Sequence, residues 1–208
     1  MIVGAGGFAR ETASAAAAAG WRVTGFADDD PALHGVVRSG HRVLGPVDSV
    51  LKTDAAVVVC VGNPRNFTAR RRIVERLGLP EQRYATVVHP SAVIGAGCTV
   101  GPGSVLLAGA VLTADVTVGS HVAVMPQVVL THDDRIGDHV TVASGVRLGG
   151  GAVLAPGAYV GAGALVREGV TVGAGSLIGM GSVVLHDVPA GEVWAGNPAR
   201  FLRKELSL

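Results

Sequence analysis

Two adjacent residues, His132 and Asp133, interrupt an otherwise apolar rhythm in the segment Leu130-Thr131-His132-Asp133-Asp134. Histidine gains and loses its proton near neutral pH, so it can act as a general base toward an attacking amine or hydroxyl. A carboxylate beside it can orient the ring and stabilise the charged form. Transfer of an acyl group from a thioester needs such a base. The plainer reading is a surface histidine in a polar corner loop, so the elements around the pair must decide.

Those elements share one period. From Ile94 an aliphatic residue recurs every six positions, through Val100, Leu106, Leu112 and onward to Ile178 and Val184. Two places before each sits a small or aliphatic residue such as Ala92, Cys98, Val116 or Val140, and glycine often follows, as at Gly95, Gly119 and Gly149. Repeats of this kind stack into a parallel β-helix over residues 92 to about 187, each unit burying its face against its neighbours. Three hexapeptides make one triangular coil in such helices, so residues eighteen apart become vertical neighbours. Gly150, within Gly149-Gly150-Gly151, then lies one coil above His132, where its bare N–H could stabilise a developing oxyanion. The alternative is three glycines that merely ease a corner. His139 falls directly above His121 by the same arithmetic and is given no catalytic role; His186, three coils from His132 in its column, is expected to be structural.

The chain before the repeats alternates strand and helix. Ile2-Val3 reads as a strand, short enough that a start a few residues upstream of Met1 is expected. Gly4-Ala5-Gly6-Gly7 forms a loop, Phe8 to Ala19 a helix capped by Gly20, and Trp21 to Phe26 a second strand. Val57–Val61 has the continuous apolar character of a buried parallel strand, and Asn66 to Leu77 resembles a helix with arginines on its outer face. Residues 1–88 therefore read as a small α/β, Rossmann-like domain and residues 89–208 as the β-helix with its tail.

Composition narrows the classes. The 208 residues include 31 glycines, about twice the usual share, and only 4% aromatics against 49% hydrophobics. A core without rings must be narrow and built from branched and small side chains. A formal net charge of +1 gives no electrostatic case for nucleic acid or an anionic membrane, and no apolar run is long enough to span a bilayer. The two cysteines, Cys60 and Cys98, make no disulfide framework and are expected on buried strand positions. A cytoplasmic setting is expected.

With both halves in view, the chain resembles the sialic acid O-acetyltransferase-like family, which includes nucleotide-amino-sugar N-acetyltransferases. The resemblance rests on Gly4-Ala5-Gly6-Gly7-Phe8-Ala9-Arg10-Glu11, Phe26-Ala27-Asp28-Asp29, Val61-Gly62-Asn63, His89-Pro90-Ser91-Ala92, the repeats, and the closing Gly196-Asn197-Pro198-Ala199-Arg200. It implies a left-handed β-helix, a homotrimer, and acetyl-CoA held in the groove between neighbouring β-helices. It also implies N- or O-acylation of a sugar or nucleotide-linked amino sugar held by the N-terminal domain, with no metal and no covalent acyl-enzyme.

Carried over residue by residue, His132 becomes the base and Asp133 its orienting acid. Thr141, Ala162 and Met180 become acyl-CoA contacts, and Arg200, with Arg203 and Lys204, reaches toward CoA phosphates. Gly6, Gly7, Phe8, Asp28, Asp29 and Gly62 would line the acceptor site. The chain departs from the pattern twice. Thr141 fills a slot where relatives have a second histidine, so that contact passes to Thr141, passes to His139, or is lost. Phe8 stands where some nucleotide-sugar members have histidine, which leaves the acceptor's identity open.

Three rivals compete. Gly4-x-Gly6-x-x-Ala9 with Asp28 loosely fits a dinucleotide fingerprint, but the α/β region is too small for two mononucleotide halves. A zinc hydratase on the same fold needs three converging imidazoles; His121, His139 and a neighbour's His132 have the wrong spacing. A non-catalytic scaffold leaves the His132-Asp133 corner unexplained.

Overall fold

The computed structural model describes residues 1–205; the end of the tail assigned to the second domain, residues 206–208, lies outside them. The N-terminal strands Ile2–Val3, Phe26–Ala27 and Val58–Val59 pair in parallel, with Ile2–Val3 in the middle. Alternation along them splits the core. Ile2, Phe26 and Val58 pack with Ala9, Ala13 and Ala16 of helix α1 (Gly7–Ala18), whereas Val3, Ala27 and Val59 face Leu77 of helix α2 (Ala69–Leu77). The second strand is shorter than the expected Trp21 to Phe26. Gly25 leaves the extended conformation at φ +152°, and Trp21 is 47% exposed. Helix α2 begins at Ala69 rather than Asn66, because Asn63 to Thr68 form turns, and it ends at a left-handed Gly78.

The hexapeptides form a left-handed parallel β-helix with three sheets. The register obeys the eighteen-residue rule, with Val111 beside Val129, Thr117 beside Arg135 and Ala123 beside Thr141. Leu106, Leu112, Leu130, Leu154 and Ile178 are fully buried along the axis. Every coil offers the next an aliphatic layer, and aromatic rings are absent from the buried core until Trp194 packs against the last coil.

Pairing begins at Val87–Val88, which lies beside Val105–Leu106, so the coil register is set just before the expected boundary. At the other end the offset falls from eighteen to sixteen, with Leu177 beside Val193. An antiparallel hairpin, Glu192–Gly196 with Ala199–Lys204, then covers the last coil. The first coil has no such cover. Ile94 is 42% exposed, and Cys98 is half-buried just before the strand Thr99–Val100 rather than buried on a strand, its Sγ accepting the Val116 N–H at 3.4 Å. Cys60 is buried as expected.

The α/β domain sits on one of the three sheets. Val87, Val105 and Leu107 join Ala9, Ala13 and Ala16 in one apolar cluster, with Met125 packed against it. This docking places the N-terminal end of α1 and the loop after Val59 beside the β-helix.

Candidate active site

The Thr131–Asp134 turn links two sheets at one edge of the triangular prism. His132 Nδ1 lies 2.8 Å from Asp133 Oδ2, and both side chains are exposed. An ionised carboxylate only accepts hydrogen bonds, so Nδ1 must carry the proton and donate it. That leaves the Nε2 lone pair free to take a proton from an incoming nucleophile. The ring lies over the Gly150 backbone, where any Cβ would overlap Cε1 and Nε2. Gly150 has no left-handed φ to explain it; its missing side chain leaves room for the ring where the ring now stands. Its N–H makes no hydrogen bond among the described residues.

Asp134 holds this turn from behind, a role the sequence reading missed. It is fully buried, its Oδ2 accepting the Thr131 N–H and its Oδ1 the Ala152 N–H, each at 2.8 Å. Loss of its side chain in Asp134→Ala strands the buried Ala152 N–H, at about 1–3 kcal/mol, and the half-buried Thr131 N–H at less. A matching fall in unfolding free energy by denaturant titration is the expected result. Burial pushes the Asp134 carboxyl up to about 6 from 3.8, against the pull of its two N–H donors and of His132. Folding therefore favours the protonated form. The stability this contributes is complete below pH 3.8 and is lost as pH rises through about 6. Melting curves of wild type and Asp134→Asn should diverge across that window, with wild type losing more as pH rises.

The turns around His132 are strained. Most coils place glycine at the left-handed corner, but here Asp115, His121, Gln127, Asp133 and His139 occupy it in succession with φ of 53° to 64°. Each costs roughly 1 kcal/mol in such a conformation. The strain is concentrated in the segment that carries the dyad.

A second group gathers elsewhere. Phe8 and Gly62 from the α/β domain meet Thr141, Ser144, Tyr159 and Ala162 around a cavity of about 140 Å³. Ala162 and Met180 succeed Ser144 at eighteen-residue steps on a prism edge different from that of His132. Met180 is 79% exposed. The N–H groups of Ser144, Ala162 and Met180 make no hydrogen bond among the described residues, which leaves a vertical row of donors. One chain therefore brings together the expected acceptor residues Phe8 and Gly62 with Thr141 and Ala162, and keeps them apart from His132 and Gly150.

The remaining expected residues divide. Gly6 and Gly7 are exposed at the start of α1, with open space where a Cβ would stand. Asp28 and Asp29 line a larger crevice of about 370 Å³ with Gly4, Arg72 and Arg76, but their carboxylates also hold the protein's own loops. Asp28 Oδ2 accepts the Ala5 N–H at 2.8 Å. Asp29 accepts the Val47 N–H at 2.9 Å and pairs with Arg76 at 2.8 Å. In the tail, Lys204 is bound to Glu192 at 2.6 Å and Arg203 lies 3.6 Å from Glu205, while exposed Arg200 donates to the neighbouring Ala199 carbonyl.

His121 and His139 stack as the arithmetic expects, with centroids 5.1 Å apart and planes 6° from parallel. His121 also meets Tyr84 edge-on, and burial above all holds it neutral by lowering its pKa to about 4. Neither ring approaches the His132 edge. Among the described residues no three His, Cys, Asp or Glu side chains converge as a metal-ligand set. No described helix is long and apolar enough to cross a membrane.

Arg70 was placed on the outer face of α2 and is instead 2% exposed, bonded to the β-helix corner beneath the two histidines. The signal was available. Arg70, Ile73, Val74 and Leu77 fall on one helical face.

Residues 1–77 match the family described as the PglD N-terminal domain. UDP-N-acetylbacillosamine N-acetyltransferase of Bacillus subtilis is 36% identical over 55 residues, covering 26% of this chain and about a quarter (24%) of that enzyme. The acetyltransferase domain of PglB from Neisseria gonorrhoeae is 33% identical, covers 97% of this chain and 98% of that one, and superposes with a TM-score of 0.85. The chain belongs to this family of hexapeptide-repeat acetyltransferases. The Neisseria domain is also known in complex with acetyl coenzyme A. Perosamine N-acetyltransferase from Caulobacter crescentus, a family acetyltransferase solved as a histidine variant with CoA and GDP-perosamine, is 27% identical with a TM-score of 0.86, covering 98% of this chain and 96% of that one.

Proposed function

We propose that this acetyltransferase moves an acetyl group from acetyl-CoA to the amine of a nucleotide-linked amino sugar, with His132 as general base. The carrying observation is the 2.8 Å His132–Asp133 contact standing over the bare backbone of Gly150. In this reading the amine lone pair attacks the thioester carbonyl while His132 Nε2 takes the amine proton. The carbonyl oxygen becomes an oxyanion facing the Gly150 N–H. The C–S bond then breaks, and His132 returns the proton to the departing thiolate. Asp133 keeps the ring in the right tautomer and steadies the imidazolium. An amine is preferred over a hydroxyl because the relatives are N-acetyltransferases.

The row of N–H donors at Ser144, Ala162 and Met180 suits the amide carbonyls of the CoA arm. The exposed glycines at the start of α1 suit the phosphates of the acceptor, since helix N-termini attract anions and Gly6 and Gly7 let them approach the backbone. The crevice between Asp28, Asp29 and Arg76 is large enough for the rest of the nucleotide. Acetyl-CoA is a cytoplasmic metabolite, and the enzyme is assigned to that compartment.

His132 and Ala162 stand on different edges of one prism, so the proposed site is completed by a second copy of the chain in a homotrimer. Co-expression tests this. His132→Ala and Ala162→Glu, each inactive alone, should together recover about a quarter of wild-type turnover, because that fraction of shared sites draws both intact halves. A site lying within one chain would recover nothing.

A further inference from the structure

Arg70 carries three separate costs. It is 2% exposed, it lies in the first turn of α2 where the helix dipole opposes a cation, and no ion pair is formed with it among the described residues. Burial lowers its pKa to about 10, still well above neutrality, so it stays charged. The guanidinium is satisfied instead by oxygen atoms from the β-helix. Nε donates to the His121 carbonyl at 2.7 Å. Nη2 reaches the carbonyls of His139 and Val140 at 2.8 and 3.0 Å and the Thr141 hydroxyl at 2.8 Å. Nη1 lies 3.4 Å from the Val61 carbonyl.

The carbonyl contacts explain a clamp between the two domains. The Thr141 contact does something more. An arginine has donors only, so Thr141 Oγ1 must accept from it, and the hydroxyl proton must point elsewhere. Among the described residues that proton has no acceptor. Thr141 and Arg70 both line the cavity shared by Phe8, Gly62, Ser144 and Ala162.

We infer that Arg70 is a positioning residue: it fixes the Thr141 hydroxyl as a hydrogen-bond donor to a carbonyl oxygen of bound acyl-CoA. This rests on the acetyltransferase reading of the same site. A neutral hydroxyl donor held in place by a charged group is a stronger donor than a free one. Arg70 thereby links acyl-CoA binding to the docking of the acceptor domain, since one side chain holds both.

The test measures acetyl-CoA binding by calorimetry and KM for both substrates in Thr141→Ser, Thr141→Val, Arg70→Met and the Arg70→Met/Thr141→Val double variant. Thr141→Val keeps the shape and leaves Arg70 its carbonyl acceptors, so it stays folded even if Arg70→Met does not. The expected result is about a tenfold weaker acetyl-CoA affinity and higher acetyl-CoA KM in Thr141→Val, with the acceptor KM unmoved and Thr141→Ser close to wild type. Where Arg70→Met folds, it should weaken acetyl-CoA binding too, and the double variant should bind no worse than the weaker single. Unchanged binding in Thr141→Val, or an equal rise in both KM values, overturns the inference while leaving the acetyltransferase reading intact. Wild-type protein that fails to bind acetyl-CoA overturns both.

Discussion

His132→Ala is expected to lower kcat for acetyl transfer by about a thousandfold, the usual worth of a positioned general base. The acetyl-CoA dissociation constant should stay near the wild-type value, because the expected CoA contacts lie on another edge of the prism. Stability should barely move, since the side chain is exposed and its bond is to an equally exposed Asp133. Steady-state kinetics, calorimetry and a melting curve on the same preparations separate these outcomes. Asp133→Asn should fall between the two enzymes, because the amide can still accept from Nδ1 but no longer steadies a charged imidazolium.

Gly150→Ala should cost about a tenth as much in rate, although it adds one methyl group and removes nothing. The new Cβ would overlap the His132 ring, and the ring, being exposed, is the part that can move. Displacing the base by about an ångström costs on the order of a hundredfold in rate. The expected signature is a fall in kcat with thermal stability within a degree or so of wild type. Gly151→Ala makes a useful contrast. A Cβ there meets nothing nearby, but the residue sits at φ +71°, so the penalty falls on the backbone. It should therefore reduce stability more than rate.

The β-helix was legible because its period is strict. Aliphatic residues from Ile94 to Val184 leave one register open, and eighteen-residue arithmetic then stacks Gly150 one coil from His132 and His139 one coil from His121, as the structure has them. What escaped was burial that depends on the third dimension. Cys98 occupies the slot that is buried in later coils, yet the first coil is the open end of the stack, where Val93 and Ile94 are exposed as well. Asp134 follows Asp133 and looks like another polar corner residue, but the corner turns its carboxylate inward onto two backbone N–H groups.

Arg70 shows a different limit. Its helical face was readable from Ile73, Val74 and Leu77, yet a buried arginine becomes credible only once the five oxygen acceptors opposite it are known. Asp28 and Asp29 show the reverse. Their position suited an acceptor site, and the structure finds both carboxylates holding the domain's own loops as well as lining the crevice.

The most direct measurement is acetyl-CoA-dependent thiol release by the wild-type enzyme against nucleotide-linked amino sugars, free amino sugars and sialic acids. Release is expected with a nucleotide-linked amino sugar, with an N-acetyl product by mass spectrometry and loss of the signal in His132→Ala. Release only with hydroxyl acceptors, or release that survives in His132→Ala, would contradict the proposed function.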